Sequence, residues 1–340
     1  MTYSQGGLIQ ATDYNGFVST TSGANINATW NSTYGQTALG TVSPAGNVTA
    51  LNWSSLVNTI NAMATHQSTT ITTRVAPQVG NTIAALTNVG TDIGNCYTNR
   101  YNAGSVGSQF TAYTGASSFN TNIGNTGGNS RGAWTATFTD TITWANSTAA
   151  NNWFGAGGYI KVQFNKSTTG TVADTEWNTF IGNVASGGAV IGRVANAVVL
   201  TSDATTKTLV GNVWQGTANV GGLPANPTVA TGTGFNQLVA GNAAVSIYKQ
   251  FDSGTAYSSN YVQITAAKNA AGNVLTLVTT WFDNGDTNIG TSTTITGGTL
   301  TTGITFGTGP ATVVTAIQPE QVNIANVWGN ITVASSVANT

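Results

Sequence analysis

The stretch Trp134 to Trp144 reads Trp-Thr-Ala-Thr-Phe-Thr-Asp-Thr-Ile-Thr-Trp, and it decides the fold class of the C-terminal part of the chain. Large apolar residues and threonines alternate at a period of two, which is the pattern of a strand with two unlike faces. Five threonines share one face, and Asp140 interrupts the apolar face. We therefore predict a β-strand with an apolar face and a threonine face.

Further strands are predicted on both sides of a central hairpin. The hairpin pairs residues 261–266 with residues 274–282, and its second strand has apolar residues on both faces, as an inner strand does. The other predicted strands lie at residues 159–164, near 195–201, 208–214 and 244–251, and at 330–337. Many short strands with frequent turn signals indicate an antiparallel β-sandwich or jelly-roll-like domain.

One helix is predicted inside this β-rich part. Asp174 is its expected N-cap, and Trp177, Phe180, Ile181 and Val184 lie along one side. The β-rich, sandwich-like domain is predicted to cover residues 131–340.

The first part of the chain has helical periodicity instead. A short helix capped by Thr12 or Asp13 is predicted to carry Tyr14, Phe17 and Val18. A longer apolar stripe between Thr49 and Gln67 consists of Trp53, Leu56, Val57, Ile60, Met63 and Ala64. A third stripe, which begins at Asn81 or Thr82 and ends at Gly104, uses Ile83, Leu86, Val89, Ile93 and Tyr97.

These patterns give a mainly β, α+β chain in three parts. Residues 1–103 form a small helical N-terminal docking module. Residues 104–130 are rich in glycine, serine and asparagine and are predicted to be a linker. Residues 131–340 form the β-rich domain.

The composition restricts the classes of function. Charged residues make up 6% of the chain, where a soluble protein has about 25%, although the hydrophobic share of 40% is near normal. The net charge is −1, and the five lysines and four arginines do not cluster, which argues against nucleic-acid binding. The most apolar run, residues 187–200, is too short to span a membrane and contains Arg193.

The N-terminus and the single cysteine indicate where the chain is made. Residues 1–10 show no basic region followed by an apolar one, so no secretion signal is visible. Cys96 is the only cysteine, so no internal disulfide can form. Assembly in a reducing cytoplasm fits both observations.

The inventory of chemically active side chains predicts no catalytic, cofactor-binding or metal-binding residue. His66 is the only histidine and ends a predicted helix, where it is expected to satisfy backbone carbonyls rather than to act in a triad. Cys96 is expected to be a small buried residue. No phosphate-binding loop or dinucleotide fingerprint is present.

The ten carboxylates offer weak alternatives. The closest groupings are Asp174 with Glu176, and Asp283 with Asp286. The Asp283-Asn284-Gly285-Asp286 segment is predicted to be a hairpin turn rather than a metal site. Two distant carboxylates across a sugar, as glycoside hydrolysis needs, remain an open alternative. The full set is Asp13, Asp92, Asp140, Asp174, Glu176, Asp203, Asp252, Asp283, Asp286 and Glu320.

Two groups of motifs carry a family resemblance. One group is Ile9-Gln10-Ala11-Thr12-Asp13-Tyr14-Asn15, Tyr34-Gly35-Gln36, Val48-Thr49-Ala50-Leu51-Asn52-Trp53 and His66-Gln67. The other is Asn152-Trp153-Phe154, Gly157-Gly158-Tyr159-Ile160-Lys161-Val162 and Trp281-Phe282-Asp283. Together they resemble virion structural proteins, including tail-fibre-like proteins, of tailed phages of marine bacteria such as cyanophages.

The resemblance implies a non-enzymatic, surface-exposed virion protein of the tail-fibre or fibre-associated type. Its implied partners are copies of itself and neighbouring virion proteins, with a host surface glycan as a further partner. The alternatives are a head or neck decoration protein and a virion carbohydrate-degrading enzyme. Trp53 and Tyr14 are predicted to be core anchors of small helices, and Trp153, Phe154 and Tyr159 are predicted to be core or subunit-interface aromatics. The alternative is that some of the tryptophans are exposed and stack on sugars of a host surface.

Overall fold

In the described part of the computed structural model, five helices and twelve strands form a mixed α+β arrangement that is mostly sheet. The described residues fall into two compact units. The helical unit comprises Met1–Phe110, Thr148–Gly157 and Pro319–Gly329, and the sheet unit comprises Thr111–Ser147, Gly158–Gln318 and Asn330–Thr340. The structure describes residues 10–19, 23–79, 88–101, 112–118, 134–165, 189–191, 207–210, 213–216, 228–229, 235–236, 238–251, 260–283, 311–317 and 322–339.

The helical unit is built around α3. The helices are α1 (Ala11–Val18), α2 (Ile26–Trp30), α3 (Ala50–Gln67), α4 (Val89–Thr98) and α5 (Ser147–Gly155), the last of which belongs to this unit apart from its first residue. Thr49 begins α3 with a capping box, because its hydroxyl accepts from the Asn52 N–H while the Asn52 side chain accepts from the Thr49 N–H. All six residues of the predicted apolar stripe are buried, so this prediction is confirmed.

The ends of α1 and α4 differ from the prediction. Helix α1 begins after Gln10 without a side-chain cap, so the predicted caps at Thr12 and Asp13 are wrong. Asn88, which adopts a left-handed φ of 69° that asparagine tolerates, precedes α4. The helix ends at Thr98 rather than Gly104, because Asn99 leaves helical geometry. Residues 81–87 lie outside the described part.

A hydrogen-bonded junction brings distant segments into the helical unit. The Gln36 amide donates to Ala325 O at 2.9 Å and accepts from the Ala325 N–H at 3.0 Å. His66 Nε2 lies 2.8 Å from Ala156 O. The helical unit is therefore larger than residues 1–103, because residues 148–157 and 319–329 complete it. The spacing of apolar residues in α3 predicts a buried face but does not predict which segments cover it.

The described strands of the sheet unit form two six-stranded sheets, and all pairings between these strands are antiparallel. The first has the order β1-β11-β3-β4-β6-β5 and the second β12-β2-β10-β9-β8-β7. The strands are β1 (Ala112–Ser118), β2 (Trp134–Thr143), β3 (Tyr159–Asn165), β4 (Ala189–Ile191), β5 (Lys207–Val210), β6 (Val213–Gly216), β7 (Thr228–Val229), β8 (Val245–Phe251), β9 (Tyr261–Lys268), β10 (Val274–Asp283), β11 (Ala311–Ile317) and β12 (Thr332–Asn339).

Most strand predictions are confirmed within a few residues. They are those at β2, β3, β8, the β9–β10 hairpin and β12. The single strand predicted at residues 208–214 is wrong, because β5 and β6 pair with each other and Val210 faces Val213. The strand predicted near residues 195–201 and the helix predicted at Asp174 lie outside the described residues.

Part of the predicted linker is a strand. Residues 112–118 form β1, which pairs along its whole length with β11. The linker prediction is wrong for this stretch, because pairing with a distant partner stabilises a segment whose small residues have little strand preference of their own. The rest of residues 104–130 lies outside the described part.

The core of the second sheet lies on one face of β2 and β10. Ala136, Phe138, Asp140 and Ile142 of β2 are fully buried. Strand β10 runs between β2 and β9, as predicted for an inner strand, and it buries Leu275, Leu277, Thr279 and Trp281. On the opposite face of β10, Val274, Val278 and Phe282 are only half-buried. The prediction that both faces of this strand are covered is therefore confirmed for one face only.

Among the described residues, no helix has the length and apolar character needed to cross a membrane.

Candidate binding surface

The outer face of the second sheet presents a regular array of small polar side chains, which we call the threonine face. Every member is half-buried or exposed, whereas the described side chains on the opposite face of β2 and β10 are buried. The threonine face consists of Thr135, Thr137, Thr139, Thr141 and Thr143 of β2, Thr276, Val278, Thr280 and Phe282 of β10, Tyr261, Gln263 and Thr265 of β9, and Thr332, Ala334 and Ser336 of β12.

The register places these side chains in rows across the strands. Thr141 is level with Thr276 on β10 and with Ala334 on β12, and Thr137 is level with Thr280. Neighbouring strands lie about 4.8 Å apart, and side chains on one face repeat about every 6.7 Å along a strand. The threonine face is therefore a two-dimensional lattice of hydroxyl and methyl groups.

An aromatic corner borders this lattice. Tyr261 and Phe282 stack with their ring centroids 4.9 Å apart, and the Lys249 ammonium lies 3.8 Å from the Tyr261 centroid. Gln263 Nε2 donates to Ser246 Oγ at 3.0 Å. Lys249 adds one positive charge beside a face whose own members are all uncharged.

The chemistry of the threonine face suits neutral, hydroxyl-bearing ligands. Each threonine hydroxyl supplies one donor and two acceptor lone pairs. An uncharged lattice has nothing to neutralise a phosphate or sulfate, but it can exchange hydrogen bonds with sugar hydroxyls and contact their C–H faces through its methyl groups. The alternating threonines of residues 135–143 were the sequence signal for this surface, although the pattern alone shows only that they share a face.

The structure places most described tryptophans in the interior. The ring side chains of Trp53, Trp144, Trp153, Trp281 and Trp328 are at most 1% exposed, and Phe154 and Tyr159 are also buried. The core assignment of Trp53, Trp153, Phe154 and Tyr159 is therefore confirmed, and sugar stacking on these residues is excluded. Trp30 is half-buried. The side chains of Trp134, Trp177 and Trp214 lie outside the described part.

His66 and Cys96 have structural surroundings. His66 is 2% exposed, faces Ala156 O, and contacts the Tyr34 ring edge-on at 5.0 Å. His66 is predicted to satisfy backbone carbonyls at the end of its own helix. It contacts instead the carbonyl of Ala156, the residue that follows α5. Cys96 is buried as predicted, and burial, with a smaller contribution from Asp92, raises the pKa of its thiol to about 12. A thiol in that state is a poor nucleophile at neutral pH.

The described carboxylates are dispersed. Asp92 forms an ion pair with Arg74, Asp13 lies in the first turn of α1, and Asp140 is buried inside the second sheet. Among the described residues, no three histidine, cysteine or carboxylate side chains are close enough to hold a metal ion. Asp174, Glu176, Asp203, Asp252, Asp286 and Glu320, the side chain of Asp283, and the turn predicted after it lie outside the described part.

Comparison of the chain with protein-family models, with curated proteins and with solved structures finds no match.

Proposed function

We propose that this chain is a non-enzymatic structural protein of a phage virion, exposed on the particle surface and of the tail-fibre or fibre-associated type. It is assembled in the host cytoplasm, and its partners are further copies of itself and neighbouring virion proteins. The motif resemblance and the scarcity of charge support this proposal, because a surface of hydroxyls and amides responds little to changes of salt outside a cell.

We further propose that the sheet unit is a sandwich of the jelly-roll type. The chain changes sheet five times between described strands, since β1, β3 to β6 and β11 belong to one sheet and β2, β7 to β10 and β12 to the other. The edge strands β1 and β12 also run close to each other. Chains that switch repeatedly between two antiparallel sheets are typical of Greek-key and jelly-roll folds.

The threonine face is the observation that carries the attachment role. It is a broad uncharged surface on a chain with 6% charged residues, and its hydroxyls match those of a neutral glycan on a host cell. The alternative role, decoration of the head or neck, would use the same face against a neighbouring virion protein. The enzymatic alternative finds no support in Asp13, Asp92 and Asp140, which lie in separate elements.

Imaging of intact phage particles at residue resolution tests the virion assignment. We expect repeated copies of this chain at the tail periphery, related by the symmetry of that part of the particle. Copies on the head lattice or neck would replace attachment by decoration. Absence of the chain from purified particles would refute the proposal.

Removing hydroxyls from the threonine face is expected to weaken glycan binding while the fold persists. In the triple variant Thr137→Val, Thr139→Val, Thr141→Val the shape and strand preference are kept, but three hydrogen-bonding groups are lost. At about 0.5–1.5 kcal/mol for each hydrogen bond, affinity for purified host-surface polysaccharide should fall at least roughly tenfold. Calorimetry measures this effect.

The matched control is Thr73→Val, which changes an exposed threonine of the helical unit. It should bind the polysaccharide as the unaltered chain does. Equal binding by the triple variant and the control would show that the threonine face is not the attachment surface.

A further inference from the structure

A cavity of about 510 Å³ opens at the end of β8 and β9 in the sheet unit. Its walls include Leu238, Val239, Val245, Ala266 and Lys268. Small-molecule sites commonly have volumes of about 300–1,000 Å³ and are mostly apolar with a few polar groups that orient the ligand. The size and lining of this cavity fit that description.

The walls are held by backbone hydrogen bonds and close packing. Val245 pairs with Ala266 across the two strands, and the Gly241 N–H donates to Lys268 O at 2.9 Å. Gly241 has a φ of +77° and packs close to Ala270, so this bend suits glycine. The cavity is therefore formed by ordered elements without needing a ligand to shape it.

Two apolar side chains at the cavity remain open to solvent. Val239 is 62% exposed and Val245 is 43% exposed. An apolar group that covered both would remove this surface from water, which stabilises a complex.

Lys268 is the charged residue among the described residues that line the cavity. Its ammonium donates to Phe235 O at 3.0 Å and lies 4.5 Å from the centroid of the buried Phe235 ring. Within the described part of the chain, no carboxylate pairs with this ammonium, and burial lowers the pKa of Lys268. An ammonium has three N–H donors, and the Phe235 carbonyl uses one of them. An anion at this place would gain hydrogen bonds and offset the cost of partial burial.

We propose that this cavity binds a small monocarboxylate with an apolar body, whose alkyl part covers Val239 and Val245 and whose carboxylate pairs with Lys268. The apolar walls select the body of the ligand and the lone ammonium selects its charge. This inference does not depend on the proposed role in a virion, because it concerns a different part of the sheet unit from the threonine face.

Calorimetric titration of the full chain with octanoate and with 1-octanol tests the proposal. Octanoate should bind more tightly than the uncharged alcohol. In Lys268→Met, which keeps an apolar stem but removes the charge, octanoate affinity should fall roughly 10- to 100-fold, as expected for loss of a hydrogen bond to a charged group, while octanol binding stays unchanged.

Two further variants separate charge from cavity. Ala244→Trp, which places a large side chain at the cavity wall, should weaken binding of both compounds. Lys249→Met, at the corner of the threonine face, should weaken neither. Circular dichroism confirms that each variant is folded. Absence of octanoate binding at millimolar concentration, or equal binding by Lys268→Met and the unaltered chain, would overturn the proposal.

Discussion

Replacement of Gly35 by alanine should destabilise the helical unit by about 2–4 kcal/mol. Gly35 has a φ of +71°, a conformation that costs an L-residue with a Cβ about 1–2 kcal/mol. The added Cβ would also overlap the side-chain amide of Asn152 and lie 2.9 Å from Cγ2 of Val327. Backbone strain and steric conflict therefore act together at this position.

The conflict falls at the junction that completes the helical unit. Asn152 belongs to α5. Val327 lies two residues after Ala325, which forms two hydrogen bonds with the Gln36 side chain. Tyr34 donates to Arg100 O at 2.9 Å and accepts from Gln67 Nε2 at 2.6 Å. A shift at Gly35 would disturb all of these contacts, because they surround it in sequence and in space.

Denaturant unfolding followed by tryptophan fluorescence measures the effect. The matched control is Gly16→Ala inside α1, where a Cβ would meet no atom within 4 Å. Because alanine favours helix over glycine by about 0.5–1 kcal/mol, this variant should be neutral or slightly more stable. An unfolding midpoint of Gly35→Ala equal to that of the unaltered chain would contradict our account of the junction.

The same contacts involve two of the sequence motifs of the helical unit. Tyr34-Gly35-Gln36 and His66-Gln67 supply hydrogen-bonding groups of the junction. Gly35 allows the positive φ and the close approach of Asn152 at this point. In this chain these motifs therefore have a structural role within the helical unit.

Replacement of Asp140 by asparagine should stabilise the protein above pH 7 and have little effect near pH 4. Asp140 is fully buried, and burial raises the pKa of its carboxyl from 3.8 to about 6, an effect that the hydrogen bond donated by Ser335 Oγ reduces. The other carboxylate oxygen has no hydrogen-bond partner among the described residues. Its neighbours on the same face of the sheet include Phe138 and Ile142.

The sign of the pH dependence follows from the raised pKa. The folded chain holds the Asp140 proton more tightly than the unfolded chain does. The stability that this proton contributes is fully present below about pH 4 and is lost as the pH rises through about 6. This rise in the pKa of Asp140 corresponds to a loss of about 3 kcal/mol in the free energy of unfolding at pH 8. Asparagine carries no charge to bury, so Asp140→Asn should restore about 2–3 kcal/mol of that free energy.

Unfolding free energies measured from pH 4 to pH 8 test this prediction, and Ser335→Ala provides a variant of opposite sign. Loss of the Ser335 hydroxyl removes the hydrogen bond that favours the ionised carboxylate, so stability should fall more steeply with pH than in the unaltered chain. If the profile of Asp140→Asn has the same slope as that of the unaltered chain, Asp140 does not control this part of the pH dependence.

Features that depend on near neighbours were determined by the sequence itself. The alternation in residues 134–144 is enough to predict β2 and to separate the buried face of Phe138 and Ile142 from the threonine face. The spacing of apolar residues likewise predicts α3, and turn chemistry predicts the β9–β10 hairpin. Periodicity within a segment shows which side chains share a face, because side-chain direction follows the local backbone.

Only the tertiary structure decided which segments meet. Residues 112–118 become a strand because β11 pairs with them, about 200 residues later in the chain. Gln36 binds Ala325 at a separation of 289 residues, which makes residues 319–329 part of the helical unit. The cavity beside Lys268 also depends on how separate segments pack. Contacts between distant segments leave no periodic signal in either one, since each depends on the shape and hydrogen-bonding groups of a partner far away in the sequence.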